Sequence, residues 1–254
     1  MEIKKFDDLR SEPVIGDSQK SGFSVGFVDD FLSGGLEKGI ITTVFGPSGS
    51  GKTNLAMLFL VSRTLKNNEK VIFIDTESGF SVERLKQISP DFMPVLKNTF
   101  LFRPMNFDEQ KKLFIYLSKN MPESVKAIIV DSMVMHYRLE LGSSDDVNVV
   151  NKDMGKQLSI LSFLSAKRNI PVLLTNQVYS NFESKDKVSM VGGDLLKYSS
   201  KCLIELKKLS DISANLRAMF LVKHRSLPEL KELRFEICEN GVRIPSENDL
   251  SWKR

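Results

Sequence analysis

Four apolar runs of strand length recur along the chain, and polar residues follow each of them. They cover residues 40–45, 71–74, 127–130 and 171–174, followed respectively by a Gly-rich segment, by Asp75-Thr76-Glu77, by Asp131-Ser132 and by Thr175-Asn176-Gln177. Apolar runs without strict alternation suit strands buried on both faces. Between them, residues 54 to about 68, 81–89 (stopped near Pro90), 108–120 and 153–167 read as helices. Residues 24–39 read as a short helix ended by Gly34-Gly35, and 100–102 as a short strand. Two stretches lack a period: residues 136–151, holding Gly142-Ser143-Ser144-Asp145-Asp146, read as a mobile loop, and 179–191 as a second loop. Strands are expected around 202–206, 218–222 and 233–237. Alternating strands and helices followed by strands predict one α/β domain, 24–254, with a mostly parallel twisted sheet, helices on its faces and a strand-rich C-terminal part. The polar residues 1–23 are expected to form a short arm or a weak first element, not a domain.

Composition narrows this picture only a little. In 254 residues, 41% hydrophobic content supports a sizeable core, and 36 basic against 32 acidic residues leave a mild excess of +4. That excess alone does not establish a nucleic-acid partner. It is uneven, however: residues 197–231 hold eight Lys and Arg against three Asp and Glu, which would suit a polyanion, a neighbouring subunit's nucleotide or simple solvation. Cys202 and Cys238 form no metal pattern and are expected to be buried, reduced thiols. No uninterrupted apolar stretch is long enough to span a membrane, and the first residues lack a signal segment, so a cytoplasmic protein is expected.

The strongest chemical signal is Gly46-Pro47-Ser48-Gly49-Ser50-Gly51-Lys52-Thr53, G-x-x-x-x-G-K-[ST], between an expected strand and an expected helix beginning near Asn54. Such a loop turns backbone N–H groups onto phosphates at a helix N-terminus. Lys52 would reach β- and γ-phosphates and the Thr53 hydroxyl would ligate Mg²⁺, so ATP and Mg²⁺ are the expected ligands. Asp131, closing an apolar strand, reads as the partner signature, whose carboxylate would hold Mg²⁺ directly or through water. Glu77 stands at a strand's carboxyl end, where it either faces the nucleotide or caps the next helix. Gln177 either senses a γ-phosphate or is a strand-end hydrogen bonder. In the second loop, Tyr179 and Phe182 interleave with Lys185 and Lys187, which fits stacking and charge on single-stranded nucleic acid, or a plain solvated loop.

Taken in order, the phosphate loop, residues 73–77, 128–132 and 174–177, and the Gly-Gly segment 192–198 resemble the RecA-like recombinase family over roughly residues 24–244. Lys223-His224-Arg225-Ser226-Leu227-Pro228-Glu229 resembles a signature of a short archaeal branch. The resemblance implies a RecA-like ATPase core. It implies that Glu77 polarises the attacking water, Gln177 couples the γ-phosphate to the following loop, and Arg84 stacks on adenine. It implies that residues 136–151 (with Arg138) and 179–191 face DNA. Lys223 and Arg225 resemble the finger that KaiC-like ATPases extend to the next subunit's γ-phosphate. Residues 1–23 carry no Phe-x-x-Ala tether, no helix-hairpin-helix domain precedes the core, and the first loop is acidic (Glu140, Asp145, Asp146). The expected role is therefore accessory: a weakly hydrolysing ATPase of recombination and repair that binds DNA, with a RadA-type recombinase as partner and possible self-assembly. The rival readings are a non-catalytic ATP-switch module and a KaiC-like signalling ATPase.

Overall fold

The computed structural model describes residues 20–66, 68–180, 188–209, 212–229 and 231–245. In chain order, β1 (Lys20–Ser21), α1 (Gly26–Phe31), β2 (Leu36–Glu37) and β3 (Ile41–Gly46) lead into the phosphate loop. Next come α2 (Lys52–Val61), continued by a π-helical turn at Ser62–Lys66, then β4 (Lys70–Asp75), α3 (Val82–Ile88), α4 (Met93–Lys97) and β5 (Thr99–Phe102). The chain continues through α5 (Phe107–Asn120), β6 (Val125–Asp131), α6 (Met135–Ser143), α7 (Val147–Arg168), β7 (Val172–Ser180) and β8 (Val188–Met190). It closes with α8 (Gly193–Ser199), β9 (Cys202–Lys208), β10 (Leu216–His224), β11 (Glu232–Cys238) and β12 (Gly241–Arg243).

Ten of these strands form one sheet in the order β12-β11-β10-β9-β3-β7-β6-β4-β5, with β8 beside β7. From β9 to β5 the pairings are parallel, and β10, β11 and β12 add antiparallel. The unbroken apolar runs lie in the parallel part because helices cover both faces there. On one face, Phe59, Leu60, Leu85 and Val95 from α2, α3 and α4 pack with Phe73 and Ile129. On the other, Phe114, Leu117, Met154, Leu158 and Leu161 from α5 and α7 pack with Ile72, Ile128 and Val172. The parallel register brings the C-terminal ends of β3, β4, β6 and β7 together along one edge of this sandwich.

Several sequence expectations change. The arm or weak first element expected over residues 1–23 is described only from Lys20 onward, where β1 pairs with β2 and the Phe23 ring lies 5.1 Å from that of Phe59. After Gly34-Gly35 the chain forms β2 rather than passing straight to the core strand. The loop expected over 136–151 is a correction of substance. It is α6 and the first turns of α7, joined by a short turn, with Asp146 capping the backbone N–H groups of Asn148 and Val149. The period was hidden because a capped break falls inside the window, and because His136, Tyr137 and Val150 are buried while Leu139, Val147 and Val149 are exposed. The second expected loop also shortens, since backbone pairing of Tyr179 with Ser189 extends β7 and β8 into it. Phe182, Lys185 and Lys187 lie outside the described residues. Cys202 is buried, with its thiol pushed up to about 12 by burial; Cys238, on the terminal hairpin, is only half-buried, and both are free.

Candidate functional site

β3 ends at Gly46, whose neighbour β9 leaves no room for a side chain: a Cβ there would stand 2.3 Å from the Leu206 carbonyl oxygen. The loop then turns into α2, which begins at Lys52. Lys52 is buried, and its Nζ donates to the carbonyls of Gly46 and Pro47, 2.9 Å away in each case. Burial pulls its ammonium below the usual lysine range, against the opposing pull of Glu77 and Asp131. A partly desolvated cation beside the first residues of such a loop suits a polyphosphate, which restores the charge balance lost on burial.

Asp131 ends β6 in the centre of this edge. One carboxylate oxygen, Oδ1, accepts the Thr175 hydroxyl from β7. The other, Oδ2, is buried and has no hydrogen-bond partner among the described residues. It faces the same small space as Thr53: a Cβ on Gly79 would lie 3.6 Å from Asp131 Oδ2 and 3.8 Å from Thr53 Oγ1. Burial raises the Asp131 pKa; the Thr175 and Thr53 hydroxyls oppose that shift and the charges of Glu77 and Asp75 add to it. An orphaned, desolvated carboxylate oxygen beside a hydroxyl fits a hard divalent cation completed by phosphate oxygens and water. The described residues hold no cluster of three or more His, Cys, Asp or Glu suited to a metal. Mg²⁺ bound through substrate phosphates needs no such cluster.

This burial has a testable cost. A carboxylate whose pKa is raised by folding binds protons more readily in the folded than in the unfolded chain. Its contribution therefore weakens stability as pH rises from the unfolded value through the folded one. Asp131→Asn keeps an acceptor for Thr175 and removes the buried charge. Without Mg²⁺ at neutral pH, its thermal midpoint should lie above that of the parent, while the stabilisation that Mg²⁺ and nucleotide confer on the parent should be lost. A midpoint lowered by several degrees in scanning calorimetry would contradict this account of Asp131.

Glu77 follows β4. The reading that it caps the next helix fails, because the Ser81 side chain accepts the Arg84 N–H and serves as the α3 cap. Instead the Glu77 carboxylate accepts from Ser132 Oγ at 2.5 Å and from Gln177 Nε2 at 3.0 and 2.9 Å. Gln177 is thus joined to the carboxylate next to the loop and not only to its own strand. The segment carrying Glu77 is shaped by Asp75, which accepts the N–H groups of Gly79 and Phe80 and pairs with Arg103 at 3.2 Å.

The structure gathers Lys52, Thr53, Asp131, Glu77 and Gln177 in one place and sets other expected residues apart. Arg84 lies near the loop's exit, where its Nε donates to Asn54 Oδ1. Its remaining nitrogens donate to the carbonyls of Cys238, Glu239 and Gly241 and to Gln87, so it also clamps the terminal hairpin. Lys223 and Arg225 lie towards the opposite end of the sheet, because β10 runs antiparallel to β9. Lys223 Nζ donates to the carbonyls of Lys197 and Ser200 and so caps α8; Arg225 pairs with the buried Glu37 at 2.6 Å. From there neither reaches its own chain's phosphate loop. Arg138 is exposed on α6. The basic excess of residues 197–231 is largely tied down by such contacts, as when Lys231 donates to the carbonyls of Asp30 and Phe31.

The sequence reading missed Ser132, Thr175 and Arg103. Ser132 and Thr175 adjoin motif residues, so strand-end polarity was their only signal; Arg103 meets Asp75 because β5 and β4 become neighbours. No helix of the described residues is long and apolar enough to cross a membrane.

Comparison with known proteins agrees with this geometry. The model of the Rad51 family matches residues 22–245. The chain is 38% identical over 222 residues to the DNA repair and recombination protein RadB of Methanobrevibacter smithii, covering 85% of this chain and 92% of that protein. It is 39% identical over 220 residues to the protein of the same name from Thermococcus sibiricus, covering 85% and 91%. Among solved structures it is similar to the crystal structure of the RadB recombinase, with a TM-score of 0.75 and 32% identity over 89% of this chain and 100% of that one.

Proposed function

We propose a function from the premise that the chain belongs to the Rad51 family and, within it, to the archaeal RadB proteins. It is a nucleotide-binding, RecA-like accessory factor of homologous recombination and DNA repair. In the finer reading, it binds ATP with Mg²⁺, hydrolyses it slowly and uses it to control contact with single-stranded DNA and with a RadA-type recombinase.

The bridge Ser132–Glu77–Gln177 is the observation that carries this reading. When bound, Mg²⁺ would neutralise charge developing on the phosphates, held by Thr53 and by the orphaned oxygen of Asp131. Lys52, whose Nζ contacts the Gly46 and Pro47 carbonyls, would meet the terminal phosphates. Glu77 orients the attacking water and accepts its proton, and Ser132 fixes the carboxylate's direction. Gln177 leaves β7 towards the second loop, and Val191, on that loop's return, donates its N–H to the Gln177 carbonyl. A change in the bonds of Gln177 therefore acts on both stems of the segment expected to meet DNA, which is a switch by local ordering. Lys223 and Arg225 stand too far from their own loop to serve it, so a finger role requires a neighbouring copy.

Phosphate release measured against protein concentration, with and without single-stranded DNA and with Lys52→Ala as blank, tests the proposal. The specific rate should rise with concentration and with DNA. A rate equal to the blank, with ATP still bound, would replace the hydrolytic reading by that of an ATP-switch module.

A further inference from the structure

The register of the C-terminal strands puts two cations against the phosphate loop. β9 pairs in parallel with β3, with Phe45 opposite Glu205. Lys207 and Lys208 follow at the end of β9, beside the loop into which the chain turns after β3 ends at Gly46. Alternation then separates them. Lys207 turns to one face, where it lies 4.8 Å from the Phe220 ring centroid and 3.5 Å from Glu205. Lys208 turns to the face that Leu206 shares with α2, and a Cβ on Gly49 would stand 3.1 Å from its Nζ. Directly across the strands, Arg217 pairs with Lys208 in register. Arg217 is buried, donates from Nε to the Gly49 carbonyl at 3.1 Å, and spends Nη1 on the carbonyls of Ala214 and Leu216.

Like charges directly opposed across two strands destabilise a sheet. Among the described residues neither Lys208 nor Arg217 forms an ion pair with a carboxylate. Arg217 is spent on backbone carbonyls, and so holds Gly49 in place. Among the described residues Lys208 has no such engagement, and its head group stands beside the loop at Gly49. Its charge is felt at the Lys52 ammonium. Three cations converge there, and an anion would relieve their mutual repulsion.

We propose that Lys208 is a nucleotide-binding residue of the chain's own site, contacting the terminal phosphate of a bound nucleoside triphosphate, with Arg217 as the positioning residue that sets the loop against it. This rests on the nucleotide reading above and adds to it a cation supplied in cis by the C-terminal sheet, distinct from Lys223 and Arg225 at the sheet's other end. Lys208 therefore lets the loop distinguish triphosphate from diphosphate without a neighbour.

The test is affinity for N-methylanthraniloyl-labelled ATP and ADP by fluorescence titration with Mg²⁺, for the parent, Lys208→Met and Lys208→Arg. Lys208 is exposed, so the variants should fold, which circular dichroism checks. Lys208→Met should weaken ATP binding by about 5- to 30-fold while ADP changes by less than about twofold, and Lys208→Arg should recover most of the loss. Unchanged ATP affinity, or equal weakening of ATP and ADP, would overturn the proposal. A parent protein that binds neither nucleotide would overturn the underlying nucleotide reading, and this assignment with it.

Discussion

Glu77→Gln should lower ATP hydrolysis by about 10²- to 10⁴-fold, the range typical for removing a general base, or to the blank where the parent's slow rate leaves less room. Nucleotide affinity should stay within about twofold, as the proposed action of the carboxylate on water rather than on the bound ground state requires. The amide keeps the side chain's size and still accepts the Ser132 hydroxyl, so the pocket should not collapse. It replaces one acceptor facing Gln177 with a donor, so the bidentate contact at 3.0 and 2.9 Å is broken on one side. The variant should therefore lose hydrolysis and also loosen the link to the second loop, read as a smaller difference between ATP and ADP in single-stranded DNA affinity. Parallel measurements of phosphate release and of nucleotide titration decide the matter. If affinity fell together with rate, Glu77 would be a binding residue and the water-activating role would fail.

The strand assignments were legible because burial on both faces forces long apolar runs, as in residues 71–74 and 127–130, and because the phosphate loop needs its glycines wherever it occurs. The joining of Glu77 to Gln177 was not legible from spacing: it exists because β4, β6 and β7 are sheet neighbours while 100 residues separate the two in sequence. Lys208 and Arg217 were seen only as part of a charge excess, since their direction depends on the β9 and β10 registers. Residues 136–151 were misread for a different reason. Exposed Leu139, Val147 and Val149 break the amphipathic pattern that betrays a helix, and Asp146 and its neighbours look like loop chemistry until their capping bonds are seen. Both kinds of error fall where the chain departs from packing as its organising rule, in the site itself and at its exposed margin.

Phe73→Ala should cost about 3–5 kcal/mol of stability, a large share of the roughly 5–15 kcal/mol that holds such a domain together. Phe73 is wholly buried on β4, between parallel neighbours, in the core formed with α2 and α3. Truncation removes its burial energy and leaves a cavity that a sheet paired on both sides cannot close. The effect also reaches the chemistry. The Phe73 ring meets Phe80 edge-on, with centroids 5.2 Å apart and planes at 75°. Phe80 ends the short segment that carries Glu77, and Asp75 holds that segment through the N–H groups of Gly79 and Phe80. Without the ring, one of these two anchors of the segment that carries Glu77 is gone, while Lys52, Thr53 and Asp131 keep theirs. In urea, the midpoint should fall with the slope unchanged, since the surface exposed on unfolding is nearly the same. At temperatures where the variant remains folded, hydrolysis should fall further than nucleotide affinity. A loss of affinity as large as the loss of rate would show that β4 supports the whole phosphate site, whereas the separation expected here assigns Phe73 and Phe80 to holding Glu77 alone.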